Sequence, residues 1–174
     1  MSIINETYFQ NIELALPIDN ILDILYYIDR HEKNILIQLL GYQLYLEFIT
    51  ALSGTPAQKW IDLRDGDSYI DNNGVQQEYE GINQIIANYV FFMIVSNKQN
   101  YTTGSGVKRG LTENSEIGDP KYKQVYAWND MIDRVVFLNG FIEKQNELDS
   151  STYQNYYPTS FSKSGSQKTN VLNI

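Results

Sequence analysis

YEGINQIIANYVFFMIVSNKQNYTTGSGVKRGLTE, residues 79–113, is the stretch whose reading decides the fold. It opens with an aromatic, a carboxylate and a glycine. Ile82, Ile85, Ile86, Tyr89, Val90, Met93 and Ile94 then recur at helical spacing, which predicts a helix over 82–98. Phe91, Phe92 and Val95 fall on its other face. A helix apolar on most sides is either central in a core or shared with a neighbouring subunit. Beyond it, residues 100–120 hold four glycines and read as a long polar loop, of a length uncommon unless functional or mobile.

Upstream, residues 8–16 alternate loosely and read as an extended arm or a first helical turn, closed by Pro17. Asp19 or Asn20 then caps a short helix through Tyr27. Asp29-Arg30-His31-Glu32 has the spacing of a capping box and predicts a new helix start. That helix runs to about Ser53, with Gly41 inside it for close packing at a cost of about 1 kcal/mol. Its apolar residues, among them Ile35, Leu36, Leu39, Leu40, Leu44, Leu46, Phe48, Ile49 and Leu52, cover more than one stripe. Residues 60–80 change character. Two β-prone pieces, 68–70 and 75–79, flank Asp71-Asn72-Asn73-Gly74, and Asn-Gly is a strong hairpin signal.

Downstream, Asp119-Pro120 supplies a cap residue and a first-turn proline, which start a third long helix through about Leu148. Tyr122, Val125, Tyr126, Ile132, Val135, Val136 and Ile142 form its expected apolar stripe. Residues 150–174 are polar, lack periodicity and carry too little apolar surface to fold alone. Their last six alternate well enough to add as a strand to another sheet. The expected fold is mainly α: a helical bundle of three long helices plus a short N-terminal helix, with a small β-hairpin insertion and an extended C-terminal arm. The divisions are an N-terminal arm over 1–18, a helical domain over 19–149 (hairpin insertion 60–80, loop 100–119) and a C-terminal arm over 150–174.

A chain of 174 residues can bury a sizeable core without staples. It has no Cys, which excludes disulfides and thiolate chemistry. A net charge of −8 argues against a dedicated nucleic-acid binder, because phosphate affinity needs an excess of Lys and Arg. No basic and apolar leader opens the sequence, and the longest apolar run, 89–95, is far short of the ~20 residues a bilayer span needs. Fourteen tyrosines suit surfaces that become interfaces.

Catalytic patterns fail one by one. The acidic cluster Asp62, Asp65, Asp67, Asp71, Glu78 and Glu80 fits no calcium loop in any register. Paired carboxylates of a glycosidase need a cleft, which a hairpin tip rarely makes. Gly104-Ser105-Gly106-Val107-Lys108-Arg109-Gly110 lacks the Gly-Lys-Ser/Thr of a phosphate loop and follows a helix rather than a strand. Lys108 and Arg109, with Lys121 and Lys123, are the one basic concentration. His31 is the only histidine and reads as a charged surface residue in a first helical turn, so no zinc site follows. Trp60 and Trp128 read as core or interface anchors. No catalytic, cofactor or metal residue is assigned.

The order of parts resembles the head–tail connector (adaptor, ring) proteins of tailed bacteriophages, crAss-like phages in particular. The resemblance rests on Leu39-Leu40-Gly41-Tyr42-Gln43-Leu44-Tyr45, Tyr79-Glu80-Gly81-Ile82, Thr103-Gly104-Ser105-Gly106-Val107-Lys108, Glu113-Asn114-Ser115, Trp128-Asn129 and Tyr156-Tyr157-Pro158. It spans roughly residues 19–158, and the C-terminal tail departs from the pattern. It implies a non-catalytic virion protein of the neck, made in the host cytoplasm. Such a protein forms a twelve-fold ring with itself between the portal protein and the next tail or ring protein, close to genomic DNA and away from membranes. Expected partner contacts are the loop Gly104, Ser105, Gly106, Val107, Lys108 and Arg109, and the arm Tyr156, Tyr157, Pro158, Val171, Leu172 and Ile174. Two other classes stay open on the residues alone: a monomeric tail or neck accessory that binds through the hairpin, and a small acid-cluster hydrolase using Asp65 and Asp67.

Overall fold

The computed structural model describes residues 2–10, 21–103, 106–109 and 120–156. A 3-10 turn, Glu6–Phe9, precedes helices α1 (Ile21–Leu40), α2 (Tyr42–Leu52) and α3 (Gln58–Asp65). Strands β1 (Asp67–Ile70) and β2 (Gln76–Tyr79) pair antiparallel, with Asp67 opposite Tyr79 and Ile70 opposite Gln76. Helix α4 (Ile82–Gln99) leads into strands β3 (Asn100–Thr103) and β4 (Gly106–Arg109), and α5 (Pro120–Leu148) follows. The architecture is mainly helical with a small β-hairpin, as the sequence predicts.

Helix α4 is the axis of the molecule. Ile82, Ile85, Ile86, Ala87, Val90, Phe91 and Ile94 are all buried. Helices α1, α3 and α5 and the N-terminal turn all pack on it. Phe92, on the face that spills past the main stripe, lies 5.0 Å from Trp128 of α5. Part of the surplus apolar surface of α4 is therefore covered within the chain, while Phe92, Met93 and Val95 remain partly exposed.

Five expectations are corrected. The Asp29–Glu32 spacing starts no helix, because α1 runs unbroken from Ile21 to Leu40. The break falls instead at Gly41, whose φ of 79° is a left-handed conformation that glycine adopts without strain. Gly41 thus separates two helices rather than easing the packing of one. Residues 60–65, placed within the hairpin insertion 60–80, belong to α3 instead, which buries Trp60 and Leu63. Residues 100–109, read as loop, carry a second hairpin in which Thr103 pairs with Gly106 and Asn100 with Arg109. Glycine punctuation masked the β-prone run Tyr101-Thr102-Thr103. In α5, Val125, Ile132, Val135 and Ile142 are buried as expected, but Tyr122, Tyr126 and Val136 face outward. A 29-residue helix drifts around its axis, so a stripe defined over its whole length cannot all meet one partner.

Glu32 has a different role from capping. It is buried on α1, and its carboxylate accepts hydrogen bonds from Ser2 Oγ at 2.7 Å and from the N–H groups of Ile3 and Ile4 at 3.0 and 3.2 Å. The N-terminal segment is held there, with Ile4 and Phe9 in the core. Replacing Glu32 by Ala strands two backbone donors, which costs about 1–3 kcal/mol each when they stay buried. The expected result is loss of amide protection at Ile3 and Ile4 in hydrogen exchange, with α4 still protected. Unchanged protection at Ile3 and Ile4 would refute the role given to Glu32.

Candidate interaction surface: the docked hairpin and its clefts

The β1–β2 hairpin is built from its turn outward. Asp71 organises the turn: its Oδ1 accepts from the N–H groups of Asn73 and Val75, and its Oδ2 from Gln77 Nε2. These bonds, those of Val75 and Gln77 first, hold the Asp71 carboxyl below its ordinary pKa. Gly74 supplies the positive φ that the Asn-Gly pair announces. Period-two alternation then sends Tyr69, Gln77 and Tyr79 inward, while Ser68, Ile70, Gln76 and Glu78 face solvent.

Two aromatic contacts dock the hairpin on α5. Tyr79 is buried, stacks on Phe141 at 4.7 Å, and donates its hydroxyl to the Leu63 carbonyl at 2.8 Å. Burial drives the Tyr79 pKa well above the usual phenol range, so it remains a donor. Tyr69 lies over Gly140, and a Cβ there would come within 2.4 Å of its hydroxyl oxygen. Gly140→Ala gains about 1 kcal/mol of helix propensity while pushing the Tyr69 ring off α5. Global stability is expected to change little, and hydrogen exchange of Tyr69 and Gln77 to accelerate. Unaltered exchange would show that the contact is slack.

An ion-pair network ties the hairpin base to the bundle. Arg134 on α5 donates from Nε to Asp130 at 2.6 Å and also pairs with Glu80. Asp130 accepts in turn from Asn88 of α4 at 2.6 Å. On the α3 side, Arg64 and Asp65 pair at 2.6 Å, and Asn83 donates to both Asp65 and the Tyr8 hydroxyl. The Arg64 hydrogen bond, against a smaller opposing effect of burial, holds the Asp65 carboxyl below its usual range. Asp65 therefore contributes stability above the ordinary carboxylate pKa, and that contribution is lost as pH falls through its lowered folded value.

Two clefts flank the hairpin. One, of about 760 Å³, is open and lined by residues 65–68 and 76–80. The other, of about 340 Å³, lies between β2 and α5 and has Arg134 and Phe137 in its lining. Asp65, Asp67, Glu78 and Glu80 line the first. Asp65 and Glu80 are paired with arginines; among the described residues neither Asp67 nor Glu78 forms a salt bridge. No group of His, Asp and Glu among the described residues is arranged to hold a metal ion.

The expected contact residues scatter. Gly106, Val107, Lys108 and Arg109 form β4, while Gly104 and Ser105 lie outside the described residues. Of the arm, Tyr156 is described; Tyr157, Pro158, Val171, Leu172 and Ile174 lie outside. Tyr156 sits half-buried against the core, its hydroxyl donating to Asn139 of α5. Sequence reasoning missed Tyr153, which is 1% exposed and anchors the start of the arm to α3 and α5. A lone tyrosine in a polar, aperiodic stretch carries no signal of burial. His31 is not a charged residue in a first turn: it lies within α1, stacked 5.9 Å from Tyr27, and burial followed by Arg30 lowers its pKa.

Two further faces carry exposed apolar side chains. On α1 and α2 these are Leu25, Tyr26, Tyr42 and Leu46, beside a cleft of about 320 Å³ lined in part by Ile28, Leu36, Tyr45 and Ile49. On α5 they are Tyr122, Tyr126, Val136 and Phe137. Val136 and Tyr122 are each 63% exposed. No helix among the described residues is long and apolar enough to cross a membrane. In comparisons with protein-family models, curated proteins and solved structures, none matched this chain.

Proposed function

We propose that the chain is a structural assembly subunit of the head–tail connector class, which forms a ring between portal and tail in a phage virion. One observation carries this reading: exposed apolar side chains concentrate on two different faces, the α1–α2 face and the α5 face, with α4 packed between α1 and α5. Two unlike apolar faces on one chain favour a head-to-tail contact, and a head-to-tail contact whose rotation closes generates a ring. A single self-complementary patch would give a dimer instead. The ordered motifs of residues 19–158 supply the class, and the ion pairs at the hairpin base supply a rigid body suited to stacking.

The test is native mass of the purified chain, alone and mixed with the portal protein of the same virion. A closed ring, alone or only on the portal, is the expected result. Val136→Asp combined with Tyr122→Asp, both 63% exposed, should abolish that ring and change stability by no more than about 0.5 kcal/mol, as exposed substitutions do. A monomer that ignores the portal refutes the connector reading. It would favour a monomeric accessory that binds through the hairpin, where Ile70 and Val75 are each more than half exposed.

A further inference from the structure

We propose that Asn73, at the tip of the β1–β2 hairpin, is a self-modification site: it cyclises onto its own main chain, loses ammonia and opens the turn in one direction, with no enzyme. The inference is independent of ring assembly. It starts from a sequence pair and from where the fold puts it. Asn-Gly occurs twice in the chain, at 73–74 and at 139–140. A glycine after asparagine leaves the next main-chain nitrogen unshielded, because it has no Cβ. By sequence the two pairs are equally open to attack by that nitrogen on the side-chain amide. The fold separates them.

Asn73 is exposed in the turn of a hairpin of two four-residue strands. Nothing lies within 4 Å of where a Cβ on Gly74 would stand, so a five-membered ring has room to form. One bond restrains the attacking nitrogen, from the Gly74 N–H to the Asp71 carbonyl at 3.0 Å. A single turn bond at an exposed tip opens at little free-energy cost. Asn139 is the opposite case. Gly140 lies well inside α5, where its N–H belongs to the i→i−4 ladder. The Tyr69 hydroxyl stands where a Cβ on Gly140 would be, and the Asn139 side chain accepts from Tyr156. The ring cannot close there unless α5 unwinds. The neighbouring Asn72 is followed by Asn73 rather than glycine, and Lys144 Nζ donates to its Oδ1 at 3.3 Å.

The chemistry balances with water alone. Solvent base takes the Gly74 amide proton, and the nitrogen attacks Asn73 Cγ. The N–Cγ bond forms, the Cγ–Nδ2 bond breaks, and the amide nitrogen leaves as ammonia with a proton returned by solvent. Water then opens the cyclic imide. Cleavage at Cγ leaves aspartate. Cleavage at the main-chain carbonyl leaves isoaspartate, whose chain runs through Cγ and is one methylene longer. One water replaces one ammonia, and nothing is oxidised or reduced. Both products carry a new negative charge close to Asp71. The Asp71 carboxylate accepts from the N–H groups of Asn73 and Val75, both at 2.9 Å, which lie on either side of the modified link. An added methylene between them breaks that pair of bonds, and the pairing of Ile70 with Gln76 next to the turn loosens. The base of the hairpin stays docked, since Tyr79 is held by Phe141 and by the Leu63 carbonyl.

The test ages the full-length protein at mildly alkaline pH, native and in urea, and follows residues 73 and 139 by peptide mass, with fragmentation that separates aspartate from isoaspartate. In the native protein Asn73 should convert, while Asn139 reacts on the order of 100-fold more slowly because it waits for local opening of α5. In urea the two should convert at similar rates. Gly74→Ala should block conversion at 73 over the same period. Hydrogen exchange of the aged sample should show loss of protection at Val75, with α4 unchanged. Native Asn73 that stays intact over a period in which the unfolded chain converts overturns the proposal, as do equal native rates at 73 and 139. Unequal rates in urea place the selection in the local sequence and overturn the part given to the fold. Conversion with Val75 still protected overturns the opening of the turn. Native mass on the same samples reports ring formation separately, so failure here leaves the connector reading untouched.

Discussion

Gly81→Ala is expected to destabilise the chain by several kcal/mol, and Gly66→Ala by a similar amount. Both glycines have positive φ, +93° and +107°. Each presses against the backbone opposite: a Cβ on Gly81 would lie 2.4 Å from the Arg64 carbonyl oxygen, and one on Gly66 2.2 Å from that of Tyr79. A side chain in this φ range costs about 1–3 kcal/mol. Overpacking adds about 1–3 kcal/mol where the obstacle has to shift. Here the obstacle is main chain, which cannot rotate away as a side chain does. The two glycines close the junction where α3 enters the hairpin and the hairpin enters α4, so the strain falls on the link to the central helix. Gly74→Ala is the matched control. Its φ is +78°, but nothing lies within 4 Å of the added carbon, so strain alone remains. Urea denaturation of the three variants checks this. Equal midpoints for Gly81→Ala and Gly74→Ala would show that the backbone contact carries no energy.

Ending the chain after Asp149 should destabilise it far more than ending it after Tyr156. The difference is one turn that pins Tyr153. Its N–H donates to Asn146 Oδ1 at 2.8 Å, its carbonyl accepts from Asn146 Nδ2, and its hydroxyl donates to the Lys59 carbonyl at 2.5 Å. Its ring packs edge-on to Trp60 at 5.8 Å, and Lys59 Nζ sits 4.8 Å from the Trp60 ring centre. Removing a buried aromatic of this size costs about 3–5 kcal/mol. Tyr153→Phe keeps the ring and loses one hydrogen bond to a buried carbonyl, a cost of about 1–3 kcal/mol. Thermal melts of the two truncations and of Tyr153→Phe should therefore fall in the order full chain and 1–156 together, then Tyr153→Phe, then 1–149. If 1–149 melts with 1–156, the turn is not part of the folded body.

The elements with strong periodicity were legible. Helix α4 was read from seven apolar positions, α5 from its opening proline, and the first hairpin from Asn-Gly between two β-prone runs. Each depends on interactions within a few residues along the chain. The Asp29–Glu32 spacing misled because a capping box and an interior helical segment share the same letters. What distinguished them was the N-terminal segment, which occupies Glu32 from about 30 residues away. Gly41 was legible as a glycine in a helical pattern, but only its φ shows that the chain turns there.

The sequence by itself therefore determined the helical class, the hairpin and the central position of 82–98. Those follow from local propensity, apolar periodicity and composition. Tertiary structure alone decided which apolar stripes are spent inside and which remain outside. Phe92 of α4 finds Trp128, while Val136 of α5 finds no cover, though both look alike in the sequence. It also decided that Tyr153 belongs to the core and that Gly66 and Gly81 must be glycine. These outcomes depend on which backbone lies opposite, and that is fixed only when α3, the hairpin, α4 and α5 close on one another.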